Sequence, residues 1–208
     1  MGARRASLSG GFLGWVRKHP LAAAVAAVAL APVVYYGAWA MGFDLRKVSH
    51  MPATTVIIDR NGVTLQRFYE EHRLLVGSKY IPKQLKLAVV ATEDKRFYSH
   101  VGFDPIATGR AIFNNITRSA NVSGASTITQ QTIKLTHGRP YRLLSKPHEV
   151  LRALALERAM SKDEILELYL NRLPYGDQIV GVGRASEAYF GVSARDLGVA
   201  EAALLAGI

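Results

Sequence analysis

Hydrophobic and polar positions divide the chain into a long uncharged stretch near the N-terminus and a larger part with mixed patterning. No charged residue occurs from Pro20 to Phe43. As a helix, this stretch would span roughly 36 Å, which exceeds the hydrocarbon core of a bilayer, about 30 Å. The pattern therefore predicts a transmembrane helix over residues 20–43. The alternatives are a buried core helix and a cleaved signal peptide, although signal peptides usually have a shorter apolar stretch.

After residue 43 the pattern changes first to alternation and then to helical spacing. Residues 44–53 indicate a linker, and Asn61-Gly62 between two β-branched runs predicts a β-hairpin over 54–69. Helical spacing then predicts four helices, of which the first runs from Pro82 to about Phe97 and the last over about Val199–Ala206. The second begins at Pro147, and its apolar stripe consists of Val150, Leu151, Leu154 and Leu156. The third follows a Ser161/Glu164 capping box and places Ile165, Leu168 and Tyr169 in the core. The predicted fold class is mainly α with a small N-terminal hairpin.

The composition excludes several classes of protein. Of the 208 residues, 49% are apolar and 20% charged, so the chain is not globally disordered. Without cysteine it has neither disulfides nor thiolate catalysis. The net charge of +10 suits an anionic partner: nucleic acid, a membrane surface or a phosphorylated substrate. Arg4, Arg5, Arg17 and Lys18 precede the apolar stretch, which predicts a cytoplasmic basic tail over residues 1–19 and an extracytoplasmic remainder.

The densest cluster of chemical groups lies between Ala91 and Gly102. Glu93 and Asp94 are expected at a helix end, beside two cations and followed by His100. A carboxylate near cations at a structural break is a candidate general base. A solvated, capped helix end has the same composition, so this cluster alone does not decide between the two.

A second cluster combines small residues, hydroxyls and amides. Its members are Ser126, Thr127, Gln130 and Gln131, followed by Lys134. Such side chains bind phosphate or sugar oxygens, and the lysine adds charge for a diphosphate. A Ser/Thr-capped loop entering a helix is the structural alternative. The chain has no GxxxxGK[ST] phosphate loop, so it lacks the usual signature of nucleotide hydrolysis.

Two further clusters open and close predicted helices. Lys146 and Glu149 lie at a helix start, with Arg139 and Arg142 completing a basic rim. Glu149 is then either functional or a residue that stabilises the helix dipole. Asn171 ends the helix that begins after Ser161, as a functional polar group or a C-cap.

Taken in this order and spacing, the clusters resemble the peptidoglycan glycosyltransferase family, the glycan-polymerising domain of class A penicillin-binding proteins and monofunctional transglycosylases. Glu93-Asp94 with Phe97, His100 and Gly102 resembles the first motif. Residues 124–131 (GASTITQQ) are similar to the second motif, Lys146 with Glu149 to the third, and residues 162–171 (KDEILELYLN) to the fourth. The resemblance covers roughly residues 54–208 and implies a lysozyme-like glycosyltransferase domain.

The resemblance implies polymerisation of lipid II by inverting glycosyl transfer at the outer face of the cytoplasmic membrane, with release of undecaprenyl diphosphate. Two positions match the family's carboxylates: Glu93, the catalytic base, and Glu149, which positions the substrate or a divalent cation (Mg or Mn) as a candidate cofactor. Substrate-binding positions are Lys134, Lys146, Arg142, Ser126, Thr127, Gln130 and Gln131. Supporting positions are Asp94, Phe97, His100 and Asn171.

The implied partners are lipid II and nascent glycan strands, the membrane through residues 20–43, and cell-wall synthesis or division proteins. No nucleic-acid-binding module is visible, so nucleic acid is not an expected partner. The segment 103–122, with Ile112, Phe113 and Ile116, is compatible either with dipping into the membrane interface or with plain packing.

The sequence departs from the family pattern in three places. Ala125 replaces a glycine of the second motif, and Ser145 stands where an arginine usually precedes Lys146. The chain stops at Ile208, before the arginine-bearing fifth motif, so the C-terminal part of the domain is expected to be missing. Two alternatives therefore stay open: an inactive or truncated membrane-anchored scaffold of the cell-wall machinery, and a lysozyme-like glycan-cleaving enzyme.

Overall fold

The computed structural model describes residues 9–51, 55–68, 72–118, 125–137 and 145–208. These residues fall into two compact units, Met1–Phe43 and Asp44–Ile208. In the first unit, α1 (Ser9–Lys18) precedes α2 (Pro20–Met41). By length and composition, Pro20–Ala38 is apolar enough to cross a membrane. The long helix therefore lies where the uncharged stretch predicts it.

The second unit is mainly helical. Its strands are β1 (Thr55–Ile58), β2 (Thr64–Phe68), β3 (His72–Arg73) and β4 (Ile179–Val180). Its helices are α3 (Leu45–Ser49), α4 (Lys83–Glu93), α5 (Pro105–Arg118), α6 (Ile128–His137), α7 (Ser145–Ala159), α8 (Lys162–Leu170), α9 (Val182–Phe190) and α10 (Val199–Gly207), with 3-10 turns at Ser78–Tyr80, Phe97–Ser99 and Ala194–Asp196.

The core forms where α6 packs on α7 and α8, and where α4 packs on α10. Burial of apolar side chains is the main driving force for this packing. The largest fully buried side chains are Tyr169, Phe97, Leu85, Ile128, Ile133, Leu156, Ile165, Leu166, Leu170, Leu197, Leu205 and Val48. The core thus includes side chains from α4, α6 and α8, the same helices that carry the candidate chemistry.

The two strand pairs are small. β1 and β2 pair antiparallel, with Thr55 opposite Phe68. In the connection between them, the Asp59 carboxylate accepts hydrogen bonds from the Asn61 and Val63 backbone amides at 2.8 Å each. β3 and β4 pair in parallel.

The segment predicted as a linker contains the short helix α3. Val48 of this helix is fully buried, and the Arg172 guanidinium donates to the backbone carbonyls of Val48 and His50. A buried guanidinium needs several acceptors, and these carbonyls supply them. The chain that follows the apolar helix is thereby tied to the end of α8.

Local signals located four of the eight helices that the structure describes in this unit: α4, α7, α8 and α10. The Ser161/Glu164 capping box is confirmed, because Ser161 Oγ accepts from the Glu164 amide while the Glu164 carboxylate accepts from the Ser161 amide. The helix predicted from Pro147 begins two residues earlier. The apolar stripe predicted for it is confirmed at Leu156, which is fully buried, and wrong at Leu154, which is exposed, because α7 turns Ala153 toward the core instead.

Candidate active site

Glu93 and Asp94 stand at the point where α4 ends, and their side chains have opposite environments. α4 buries Leu85 and Val89 on one face and ends at Glu93, whose side chain is exposed. Asp94 leaves the helical conformation (φ −156°, ψ 78°), and its side chain is only 5% exposed. One carboxylate therefore reaches the surface while its neighbour is held inside.

Asp94 ties the α4 end to the start of α6. Its Oδ2 accepts from the Ile128 amide at 3.1 Å and lies 2.9 Å from His100 Nε2. His100 Nδ1 accepts from the Gly102 amide at 3.1 Å, so the proton of the neutral ring lies on Nε2 and is donated to Asp94. These contacts hold the end of α4 against the start of α6.

Gly102 completes this turn because no other residue fits there. Its φ is +90°, and a Cβ would lie 2.9 Å from the Ala153 carbonyl oxygen. The Gly102 carbonyl accepts from Thr127 Oγ1 at 2.8 Å. The turn after α4 thus lies directly against both α7 and the loop that starts α6.

The exposed Glu93 carboxylate is held from α6. Gln131 Nε2 donates to Glu93 Oε2 at 2.8 Å, and Tyr169 Oη on α8 donates to Gln131 Oε1 at 3.0 Å. Burial, and then the negative charge of Glu93, raise the pKa of the Tyr169 hydroxyl far above its ordinary value. The tyrosine therefore stays protonated and remains a hydrogen-bond donor.

Two lysines converge on one hydroxyl and one carboxylate. Lys134 Nζ lies 2.9 Å from Ser126 Oγ and 3.4 Å from Glu149 Oε2. Lys146 Nζ lies 3.2 Å from the same hydroxyl and 3.3 Å from the same carboxylate oxygen. Glu149 is 4% exposed, whereas the Lys146 side chain is 66% exposed. We call these four residues the lysine cluster. With two ammonium groups and one carboxylate, it carries a net positive charge.

The remaining predicted positions are buried and bind the protein itself. Thr127 and Gln130 bond reciprocally at the start of α6, with the Thr127 amide on Gln130 Oε1 and the Gln130 amide on Thr127 Oγ1. Phe97 is fully buried, with Lys162 Nζ 4.4 Å from its ring centroid. Asn171 bonds both backbone groups of Val76 at 2.8 Å. Arg142, the remaining predicted position, lies outside the described residues.

A pocket of about 470 Å³ opens beside Glu93. It is lined by the chain from Thr92 to Arg96, by Ala125, Ser126 and Thr127, and by Asp104, Ala107 and Arg110. Glu93 and Ser126 face the same space, and Lys134 lies one helical turn beyond Gln131 on the same face of α6. The predicted carboxylate and part of the lysine cluster are therefore brought together.

Sequence reasoning identified Lys95 and Arg96 only as cations beside Glu93 and missed that they line this pocket together with Arg110, as a cationic wall. Arg96 Nε pairs with Asp104 Oδ2 at 3.4 Å, and Asp104 also accepts from the Ile106 and Ala107 amides. Burial alone would raise the pKa of Asp104, but these amides and Arg96 hold it below its ordinary value. The signal was available: positions 104, 107 and 110 are three apart, which is the spacing of one helix face.

The lysine cluster does not fit a divalent cation. Glu149 is already paired with two ammonium groups. Among the described residues, no group of three or more His, Cys, Asp or Glu side chains could hold a metal ion.

The chain is similar to known proteins over a range that includes the residues of this site. The family model for transglycosylases matches residues 61–208. Penicillin-binding protein 1F of Bacillus subtilis is 40% identical over 191 residues, which cover 90% of this chain and 26% of that protein. Penicillin-binding protein 1A of Vibrio cholerae is 40% identical over 153 residues, covering 73% of this chain and 18% of that protein.

Penicillin-binding protein 1A/1B of B. subtilis is 42% identical over 161 residues, covering 76% of this chain and 17% of that protein. The chain thus spans about a quarter or less of the length of these relatives. The match covers more than half of this chain and includes all four motifs. The resemblance read from the sequence is confirmed: this chain belongs to the transglycosylase family, the peptidoglycan glycosyltransferases of class A penicillin-binding proteins.

Proposed function

We propose that this chain polymerises lipid II into peptidoglycan glycan strands by inverting glycosyl transfer. The single observation that carries the proposal is that the Glu93 carboxylate and Ser126 of the lysine cluster face one pocket. The reaction needs a base for the attacking 4-hydroxyl and positive charge for the departing diphosphate. Both requirements are met by side chains of this one site.

Glu93 is the base in this proposal. The 4-hydroxyl oxygen of one lipid II attacks the anomeric carbon of the donor sugar while its proton passes to the Glu93 carboxylate. The bond from that carbon to the diphosphate oxygen breaks, and undecaprenyl diphosphate leaves with the electron pair. An exposed carboxylate at a helix end suits this role because substrate reaches it from the pocket.

Lys134 and Lys146 stabilise the leaving diphosphate, and Arg142 joins them by family resemblance. Glu149 orients both ammonium groups without neutralising them, since two positive charges share one carboxylate. Charges fixed before the reaction stabilise the developing negative charge without having to reorganise. Glu149 is therefore the second functional carboxylate and acts through the lysines.

The residues around α6 divide into two groups. Ser126 and Gln131 contact charged groups of the site and are proposed to line the donor position. Thr127 and Gln130 are proposed to support the donor position without contacting the substrate, since their polar groups bond each other and cap the start of α6. Asp94, His100, Phe97 and Asn171 support the same surface from within the protein.

The domain organisation follows the same proposal. Residues 1–19 form the cytoplasmic basic tail, 20–43 the transmembrane helix, 44–53 the connection and 54–208 the lysozyme-like domain with its N-terminal hairpin. Residues 54–208 would then act at the outer face of the cytoplasmic membrane. Support for a second membrane contact comes from α5, whose Ile112, Phe113 and Ile116 are all more than half exposed.

The partners of the proposed reaction are lipid II, nascent glycan strands and cell-wall synthesis or division proteins. A glycan-cleaving enzyme with one dominant glutamate has no use for the lysine cluster, because its leaving group carries no diphosphate. A scaffold without activity needs neither the ordered Glu93 carboxylate nor the charged pocket. The side-chain arrangement thus favours the polymerase over both alternatives.

The test uses the purified full chain in detergent with lipid II and two matched variants. Glu93→Gln keeps the size of the side chain but removes the base, and we expect at least a 100-fold lower rate of polymerisation. Glu187→Gln is the control, because this exposed carboxylate pairs with Arg184 on its own helix. Equal rates for the parent and Glu93→Gln would overturn the proposed base.

A further inference from the structure

The Gln131 amide contacts Glu93 at one end and the buried hydroxyl of Tyr169 at the other. Tyr169 is 1% exposed in α8, among the buried apolar side chains of Ile165, Leu166 and Leu170. Packing alone would be served equally well by phenylalanine, and a buried hydroxyl is costly unless it is hydrogen-bonded. The hydroxyl of Tyr169 is bonded to Gln131 Oε1 at 3.0 Å. Any function of this hydroxyl therefore depends on the other hydrogen bond of Gln131, which is to the Glu93 carboxylate.

The direction of the two hydrogen bonds is determined by the carboxylate. An ionised Glu93 only accepts, so the side of the Gln131 amide that faces it must be the NH₂ group. The amide oxygen then points at Tyr169, and the tyrosine must donate. Because burial and the charge of Glu93 raise the pKa of the Tyr169 hydroxyl, the proton it donates is not lost near neutral pH.

Gln131 by itself would hold Glu93 loosely. Its side chain is partly exposed, and its amide group turns easily when only one end is bonded. The bond from Tyr169 anchors the other end to the core, since α8 is packed against α6. An exposed glutamate at the last position of α4 is thereby given a fixed orientation.

We propose that Tyr169 is a positioning residue for the catalytic base: its hydroxyl fixes the Gln131 amide, and the amide fixes the Glu93 carboxylate. The proposal rests on the role of Glu93 given above. Gln131 occupies Oε2 of the carboxylate, so Oε1 is the oxygen that we assign to proton transfer. Correct orientation of a base affects the chemical step more than substrate binding.

The first test is a kinetic comparison of three single variants of the full chain in detergent with lipid II. Tyr169→Phe is expected to lower kcat roughly tenfold and to leave KM within about twofold, because the variant keeps the Gln131 side chain at the donor position and loses only the bond that fixes its orientation toward the base. Tyr175→Phe is the matched control. Tyr175 is also buried, and its hydroxyl has no hydrogen-bond partner among the described residues. Its kcat should equal that of the parent.

The third variant, Gln131→Met, separates positioning from stability. It removes the link between the two ends while keeping a side chain of similar length. If Tyr169 acts through Gln131, adding Tyr169→Phe to Gln131→Met should lower kcat no further. Equal, multiplicative losses in the two backgrounds would overturn the proposal, as would a Tyr169→Phe variant with the kcat of the parent.

A second readout does not depend on turnover. The chain has five glutamines, so labelling their side-chain amides with ¹⁵N gives few signals, and loss of one in Gln131→Met assigns that of Gln131. This signal should shift in both Tyr169→Phe and Glu93→Gln and stay in place in Tyr175→Phe. An unchanged signal in Tyr169→Phe would overturn the proposal even if the chain proved inactive.

The same set of variants tells the two failures apart. If Glu93→Gln polymerises lipid II at the parental rate, the proposed base is wrong. If Glu93→Gln is inactive while Tyr169→Phe keeps the parental kcat, the base stands and the positioning role of Tyr169 falls.

Discussion

Removal of the Asp94 carboxylate should destabilise the turn that follows Glu93, the proposed catalytic base. In Asp94→Ala, two buried donors lose their acceptor: the Nε2–H group of His100 and the amide of Ile128. Each unsatisfied buried donor costs about 1–3 kcal/mol, so we expect the free energy of unfolding to fall by about 4 kcal/mol. His100 cannot compensate by moving its proton, because Nδ1 already accepts from Gly102.

Asp94→Asn divides this cost into a charge part and a hydrogen-bond part. Asparagine keeps one oxygen to accept the two donors but loses the charge, which about halves the strength of such bonds. The expected loss is therefore about 1–2 kcal/mol. The order of stability should be parent, Asp94→Asn, Asp94→Ala.

The assay is thermal and chemical unfolding of the full chain in detergent, followed by circular dichroism. For a domain of this size, a loss of about 4 kcal/mol corresponds to a Tm lower by roughly 10 °C. Asp196→Ala is the control: its carboxylate is exposed beside Arg195, so its stability should stay within about 0.5 kcal/mol of the parent. A loss below about 1 kcal/mol for Asp94→Ala would refute the reasoning.

Three further predictions concern single contacts around the site. Gly102→Ala should cost at least about 3 kcal/mol, measured as a lower Tm, because its Cβ would lie 2.9 Å from the Ala153 carbonyl oxygen at φ +90°; a parental Tm would contradict this clash. Asn171→Ala removes both bonds to the Val76 backbone, so the Val76 amide should exchange hydrogen at least tenfold faster, while an unchanged rate would deny the anchoring. For Asp104, the folded pKa lies below the ordinary 3.8, so its contribution to stability is complete above that pH and is lost as the pH falls through the folded pKa. The difference in free energy of unfolding between the parent and Asp104→Asn should therefore be constant from about pH 7 to about pH 5 and should shrink toward zero below about pH 4. A difference that grew in acid would contradict this prediction.

Elements with local signals were predictable from the sequence. The capping box of Ser161 and Glu164 joins residues three positions apart, and α10 follows from a continuous apolar pattern. The long apolar helix follows from the absence of charge. In each case the determining physical interactions lie within one or two helical turns, so the sequence contains them directly.

Contacts between distant parts of the chain were not predictable in the same way. The link from Glu93 to Gln131 spans 38 positions, and that from Arg172 to the carbonyl of His50 spans 122. The motifs indicated which residues belong to the site, but only the packing of α6 against α8 decides that Gln131 contacts Glu93 while Gln130 turns inward. The cationic wall is an intermediate case: positions 104, 107 and 110 have the spacing of one helix face, but Arg110 reads equally well as a residue of a surface helix, so its place in the pocket was not predicted.

The most direct test of the central claim supplies the purified chain with two substrates in parallel: labelled lipid II and preformed, labelled glycan strands. We predict that the parent converts lipid II into strands with release of undecaprenyl diphosphate and leaves the preformed strands at their original length. The Glu93→Gln variant should act on neither substrate. Shortened strands with untouched lipid II would identify a glycan-cleaving enzyme and contradict the account. A folded chain that acts on neither substrate would contradict it in favour of a scaffold.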